Sequence, residues 1–197
     1  EVTAQIWLVQ VGRCPVYLLD ADIDENTAAD RAITAKLYGG DHELRIIQEL
    51  LLGIGGVRAL ESLGVKPNVW HMNDCHPVFL AHERIRKHMQ EDGLTFAEAI
   101  EASKSNTVFT THTPVPAGNE VIHSALKDKY FKWFWDMLHI DKTEYMKLGP
   151  DTLTNNPELF SVTVFALKMS NFKNGVAELH GHVSRKLWQG VWKDVPY

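Results

Sequence analysis

The chain is expected to fold as an α/β protein, an open parallel sheet with helices on it, and three observations carry that expectation. Two short apolar runs, residues 69–72 and 107–111, each lead into a polar cluster with a histidine, Asn73-Asp74-Cys75-His76-Pro77 and His112-Thr113-Pro114. Longer segments around them repeat apolar residues every three or four positions, the helical period. The order strand-strand-helix-strand-helix-helix-strand-helices suits a layered sheet better than a bundle.

Taken in order, residues 6–11 and 16–19 are strand candidates joined by a Gly-containing connection. Asp20 to Asn26 follows as an acidic, solvated exit loop. A helix is predicted over 41–63 from Leu44, Ile47, Leu51 and Ile54, with Asp41 as its cap and Gly64 as its stop. Gly53, Gly55 and Gly56 inside it either admit another backbone or mark a break. They form no phosphate-binding fingerprint, because the strand-then-GxGxxG order is missing.

After the buried strand at 69–72, Pro77 opens a helix through Val78, Ala81, Ile85 and Met89. Thr95 and Glu98 have capping-box spacing ahead of a helix ending near Ser103, and the β-branched run 107–111 is the next strand. Pro114 and Pro116 hold the following loop out of helix. The aromatic run Tyr130 to Trp135 belongs in a helical region; Asn156-Pro157-Glu158 opens a helix through Val162, Phe165 and Met169. The last helix uses Val176, Leu179, Val183 and Leu187. Residues 1–126 are therefore expected to hold the sheet, and 127–197 to be a mainly helical extension.

Composition narrows the function. A hydrophobic content of 45% excludes a disordered chain, and a net charge of -5 argues against a nucleic-acid binder. No apolar stretch reaches membrane-spanning length. Two cysteines, Cys14 and Cys75, are too few for a disulfide framework, so the expected setting is a reducing cytoplasm. The first residues read as a strand already in progress, and the chain as cut from something larger.

If the two His-bearing runs are neighbouring parallel strands, their polar ends meet at one rim of the sheet, where open α/β folds bind ligands. Asn73, Asp74, His76 and His112 offer both donors and acceptors, which suits the hydroxyls of a sugar. Asp74 can orient His112 or meet the ligand itself. A metal-dependent hydrolase is an alternative, since His71, Asp74, His76 and His112 are all metal-compatible groups, although HExxH-type spacing is missing. A non-catalytic carbohydrate-binding module is another, with the Tyr130 to Trp135 aromatics as its platform. Cys75 lacks a neighbour that would activate it and is expected to fill space.

Several separated segments coincide with one family. Gln10-Val11-Gly12-Arg13, Leu37-Tyr38-Gly39-Gly40-Asp41-His42-Glu43-Leu44-Arg45, Gly53-Ile54-Gly55-Gly56-Val57-Arg58, His71-Met72-Asn73-Asp74-Cys75-His76-Pro77, Thr110-Thr111-His112-Thr113-Pro114-Val115-Pro116 and Asn174-Gly175-Val176 occur in the family's order. In these the chain resembles the α-glucan phosphorylases of glycogen, starch and maltodextrin. The resemblance implies part of the Rossmann-like N-terminal half of a two-domain, GT-B type glycosyltransferase. It implies transfer of a terminal glucosyl unit from an α-1,4-glucan to inorganic phosphate, releasing glucose 1-phosphate.

It further implies that His112 is the catalytic histidine beside the glucosyl unit. Asp74 and His76 would contact sugar, Tyr38 would flank the glucan cleft, and Asn174, Val176 and His180 would lie near the donor-sugar pocket. Pyridoxal 5'-phosphate, held in the family through a lysine of the C-terminal half, is expected in the full-length parent and not in this piece. The missing C-terminal domain and a possible homodimer are the implied protein partners, and the piece alone is expected to be inactive. Ile33-Thr34-Ala35-Lys36 departs from the Asn-Asp-Asn run of the animal enzymes' gate.

Overall fold

A computed structural model describes residues 1–37, 39–113, 115 and 119–192. Tyr38 and the prolines at 114 and 116 lie outside the described residues.

The first two strands, β1 (Gln5–Val11) and β2 (Cys14–Asp20), pair antiparallel through a two-residue turn whose Gly12 has φ +59°. A positive φ at the first turn position suits the twist of a hairpin and favours glycine there. Asn26 ties the hairpin base, giving Nδ2 to the carbonyls of Thr3 at 2.7 Å and Ala21 at 2.8 Å. Arg31 neutralises part of the acidic loop, pairing with Asp22 at 2.6 Å and Asp24 at 2.9 Å. It comes from the short helix α1 (Ala28–Arg31), which Thr27 caps.

The expected helix over 41–63 is present as three continuous pieces. These are α2 (His42–Leu50), a π-helical turn (Leu51–Gly55) and α3 (Gly56–Ser62). Asp41 caps the start by accepting from the N–H of Leu44 at 2.9 Å, and Gly64 follows the end with φ +71°. The wide turn falls on the glycines for a steric reason. A Cβ on Gly53 would lie 2.6 Å from the Leu80 nitrogen and 2.8 Å from the Phe79 carbonyl carbon, so only hydrogen lets the two backbones touch.

Three parallel strands form the central sheet in the order β3-β4-β7: β3 (Trp70–Asn73), β4 (Thr107–Thr111) and β7 (Phe172–Gly175). Helix α4 (Leu80–Gln90) leaves β3, and α5 (Phe96–Ser105), with its Thr95–Glu98 capping box complete, leads into β4. Helix α4 starts three residues after Pro77, because residues 78, 80, 81 and 82 first bond back three positions, as in Leu80 N–H to Pro77 O at 2.9 Å.

A second pair of strands corrects the expectation at Asn156-Pro157. Instead of opening a helix, the chain forms β6 (Leu159–Ser161), antiparallel to β5 (Val121–His123). Helix α8 (Val162–Lys168) starts only after Ser161, whose Oγ accepts from the Val164 N–H at 3.2 Å. Between them lie α6 (Ser124–Leu138) and α7 (Lys142–Met146). The segment after residue 126 is mostly helical, and it also supplies β7 to the central sheet.

One apolar core joins these elements. Met72 and Phe109 enter it from the sheet, Phe79 and Ile85 from the α4 side, and Phe131, Phe134 and Phe165 from α6 and α8. Burying each such side chain stabilises the fold by about 1.5–3 kcal/mol relative to exposure. Phe131, Phe134 and Trp135 are interior and Trp133 is 40% exposed, so most of the aromatic run supplies packing. The final helix, α9 (Glu178–Leu187), turns Leu179 of its expected apolar face outward while Leu187 packs against the core. Gly175 and Gly181 meet backbone to backbone, which turns His180 and Ser184 inward and leaves Leu179 76% exposed.

Candidate sugar-binding rim

Parallel register decides which side chains meet. Asn73 of β3 aligns with Thr110 of β4, and Thr110 with Asn174 of β7, so three polar residues form one row at the C-terminal ends of the strands. Asp74, His112 and Val176 follow directly after these strands. This is the rim that the sequence predicts for ligand contact.

A hydrogen-bonded chain runs across the row. His71 Nε2 lies 2.8 Å from Thr110 Oγ1, and Thr110 donates to Asn174 Oδ1 at 2.9 Å. Since the hydroxyl has one proton to give, His71 is the donor in the first bond. Asn174 also gives its Nδ2 to the Gly175 carbonyl at 3.1 Å. Its amide is therefore fixed at both ends while its side chain remains exposed.

Among the described residues, His112 is bonded by Asn73 and not by Asp74. Its Nε2 stands 2.5 Å from Asn73 Oδ1, and because that oxygen can only accept, Nε2 carries the proton. Asp74 adopts a left-handed backbone, φ 66°, a conformation that Asp tolerates better than most side chains. Its Oδ1 accepts from the Cys75 N–H at 2.9 Å and its N–H donates to the Thr110 carbonyl at 2.9 Å. The turn thus halts β3 and lifts the carboxylate to the rim, half-buried.

The other expected site residues divide. Val176 is 53% exposed just beyond β7, with its N–H on the Thr111 carbonyl at 3.1 Å. His180 sits apart from the row, buried and 3.2 Å from Ser184 Oγ. A cavity of about 640 Å³ lies beside Thr111, Asn174 and Gly175, with Glu178, His182 and Arg185 adding charge to its wall.

His76 occupies a different wall. It lines a cavity of about 390 Å³ between β2 and α2, together with Arg45, Glu49 and several leucines. Its Nδ1 is 3.5 Å from Glu49 Oε1, a contact that raises the imidazole's affinity for a proton. Arg45 Nε reaches Glu49 at 3.4 Å and Glu120 at 2.8 Å, and His42 Nε2 reaches Glu120 at 3.3 Å. Burial, and then the neighbouring Glu49 carboxylate, push Glu120 up to about 8. Two buried carboxyls at close quarters cannot both ionise cheaply, so the pair retains a proton near neutral pH.

Sequence reading did not single out Thr110, Arg45, Glu49 or Glu120. For Arg45 and Glu49 a signal existed. With His42 they recur every three or four residues along α2, so one helix face carries charge where an apolar stripe is the norm. Thr110 and Glu120 carry no such local sign. Cys75 is packed inside, its Sγ 3.3 Å from Thr163 Oγ1, and burial pushes its thiol pKa up, away from reactivity. Among the described residues no group of three His, Cys, Asp or Glu side chains is placed to hold a metal ion, and the metal-hydrolase alternative is not favoured. No helix among them is long and apolar enough to cross a membrane.

No protein-family model matches the chain. It is 40% identical to the maltodextrin phosphorylase of Thermococcus litoralis over 195 residues, which is 99% of this chain and 22% of that protein. To the glycogen phosphorylase of Mycobacterium tuberculosis it is 41% identical over 200 residues, 96% of this chain and 23% of that one. To the glycogen phosphorylase of Aquifex aeolicus it is 34% identical, over 96% of this chain and 27% of that one. The chain spans about a quarter of the length of the curated relatives it matches.

Proposed function

We propose that this chain, a homologue of the glucan phosphorylases along nearly its whole length, forms one wall of the glucan crevice in such an enzyme. The reaction is transfer of a terminal glucosyl unit from an α-1,4-glucan to inorganic phosphate, giving glucose 1-phosphate. The observation that carries the reading is the extent of the similarity: it covers nearly the whole chain, the segments that build the sheet rim included, and those segments come together in space.

A parallel three-stranded sheet with helices fits part of a Rossmann-like half of a two-domain GT-B fold. In that setting the rim faces the interdomain cleft, and the second domain comes from the part of the relatives that this chain does not span. Cleavage of the glucosyl bond builds positive charge at the anomeric carbon, and the departing oxygen needs a proton. His112 is suited to orienting the glucosyl unit. Asn73 holds its Nε2–H, which fixes one edge of the ring. Asn174 and Asp74 offer further hydrogen-bonding groups to sugar hydroxyls, and a fixed array of this kind binds with little entropy loss.

Pyridoxal phosphate supplies phosphate-mediated acid-base chemistry in the family. Two lysines of this chain are already engaged. The amine of Lys173 is engaged by the Ser170 carbonyl at 2.6 Å, and Lys127 is sealed among aromatic rings. On the resemblance, the cofactor lysine and the phosphate grip belong to the part of the parent that this chain does not span, and a cytoplasmic setting goes with the same reading.

The test uses the chain alone and the full-length parent. The chain supplied with glucan, phosphate and pyridoxal phosphate is expected to release no glucose 1-phosphate, whereas the parent turns over and loses most of its rate on His112→Ala. Sustained turnover by the chain alone, or an unimpaired His112→Ala parent, refutes the reading.

A further inference from the structure

We propose that the cavity at the N-terminal ends of β3 and β4 binds a phosphate group, gripped by the guanidinium of Arg84. This cavity of about 400 Å³ has Lys66, Trp70, Arg84, Lys87 and Asn106 in its wall. Trp70 opens β3 and Asn106 precedes β4, so the site lies at the end of the sheet opposite the sugar-binding rim. It does not rest on the function proposed above.

Arg84 is a buried cation held by neutral groups alone. It is 7% exposed; Nη1 donates to the Ser103 carbonyl at 2.5 Å and to Thr107 Oγ1 at 2.6 Å, and Nη2 donates to Asn106 Oδ1 at 2.6 Å. The group also lies 5.2 Å from the Trp70 ring centre. Burial draws its pKa down to about 10 with no carboxylate near enough to offset the fall, whereas Glu83 raises that of Arg86. Arg84 therefore stays charged near neutral pH, and a charge withdrawn from water without a counter-ion is costly. The three bonds clamp α4 to the end of α5 and the start of β4, yet they use only three of five N–H groups. The other two, on Nε and Nη2, have no acceptor among the described residues. Those nitrogens share one edge of the planar group, the edge that can take two oxygens of an oxyanion.

The remaining charges of the wall favour a doubly charged ligand. Its carboxylates already have basic partners: Glu61 and Glu91 both face Lys87, Glu91 at 3.7 Å, and Asp92 lies 2.6 Å from His88 Nδ1. Lys66 makes no ion pair among the described residues, which leaves it and Arg84 as two cations facing one cavity. A phosphate group, with close to two negative charges at neutral pH, matches that pair better than a carboxylate with one. The volume lies in the range of small-molecule sites, so a phosphomonoester fits as well as the free ion.

The experiment follows the Arg84 Nε–H and the Trp70 indole N–H by ¹H–¹⁵N correlation spectroscopy of the whole chain, as sodium phosphate replaces sodium chloride at constant ionic strength. Both resonances are expected to shift and saturate. Glycerol phosphate forms a second arm; saturation by either source supports the site, and the tighter of the two tells a free ion from an ester. Acetate is expected to bind more weakly than phosphate. Lys66→Gln is expected to weaken phosphate severalfold. Arg84→Lys keeps the charge and loses the fork, and is expected to weaken it by about 10- to 100-fold, the worth of a hydrogen bond to a charged group. A wild-type titration without a saturable shift overturns the proposal, whether or not Arg84→Lys folds. Acetate binding as tightly as phosphate, or unchanged affinity in Lys66→Gln, overturns it too.

Discussion

His112 Nε2 and Asn73 Oδ1, 2.5 Å apart, join the ends of two adjacent parallel strands, so the residue that orients the rim histidine is its neighbour's amide and not the carboxylate next along. An amide leaves the imidazole without a counter-ion. Its role is therefore to set direction rather than charge. Asn73→Ala in the full-length enzyme is expected to lower the glucosyl-transfer rate by roughly 5- to 30-fold, the worth of about 1–2 kcal/mol of lost hydrogen bonding.

The contact at Gly53 gives a stability prediction with an internal control. Gly53→Ala drives a methyl group into the Phe79–Leu80 backbone, which cannot yield as a side-chain tip would. Urea unfolding is expected to show a loss of about 1–3 kcal/mol, the range for overpacking. Gly56→Ala meets nothing within 4 Å in the same helical run and is expected to gain about 0.5–1 kcal/mol from helix propensity. Equal effects at the two sites would refute the close approach.

Glu120 makes stability depend on pH with a definite sign. Its folded pKa of about 8 lies above the ordinary carboxyl value of 4.5, so between those values the folded state keeps a proton that the unfolded chain has released. Stability then falls as pH rises across that window, with a limiting slope of about 1.4 kcal/mol per pH unit for one proton. His76, also raised, acts in the same direction above its ordinary value of 6.5. Glu120→Gln is expected to flatten the profile, read as the difference between wild-type and variant urea midpoints at a series of pH values.

Lys127 acts in the opposite sense. Its amine is fully buried, 3.0 Å from the Tyr145 hydroxyl and 3.6 and 3.7 Å from the Phe131 and Phe160 ring centres, and burial drives its pKa well below 10.5. A base depressed on folding costs stability below its unfolded pKa and returns it as pH climbs toward 10.5. Lys127→Met keeps the volume and removes the amine. It is expected to stabilise the protein by about 1 kcal/mol or more at neutral pH, by the logic of replacing a buried charge. The advantage should shrink at alkaline pH, which chemical unfolding at two pH values checks.

Thiol labelling offers a direct check of the packing around β3. Cys14 is exposed in the hairpin and Cys75 buried against Thr163, so one equivalent of maleimide is expected to react with the native chain and a second only after denaturation.

Local chemistry explains what was legible without coordinates. The Asp41 cap, the Thr95–Glu98 capping box, the boundaries of β4 and the hairpin turn at Gly12 each involve partners a few residues apart, and residue type alone selects among the available conformations. The meeting of Asn73, Asp74 and His112 at one rim was also readable, given parallel strands, since parallel pairing puts like ends together, whereas Asn174 reaches it on β7, a strand that local pattern did not show, and His76 lies on another wall.

Competition between distant segments decided the rest. Asn156-Pro157 has helix-opening chemistry, yet pairing with residues 121–123 draws the following three residues into a strand. Leu179 and Leu187 belong to one apolar pattern in α9, but the close approach of Gly175 to the Gly181 backbone seats the helix so that Leu187 meets the core and Leu179 faces out. The Glu49–Glu120 pair has no local signature, because its proton depends on exclusion from water by elements far apart in the chain. Spacing along the sequence therefore determined most of the helices, the first four strands and the polar residues at the ends of β3 and β4, while long-range backbone contact and burial decided which of them meet and in what protonation state.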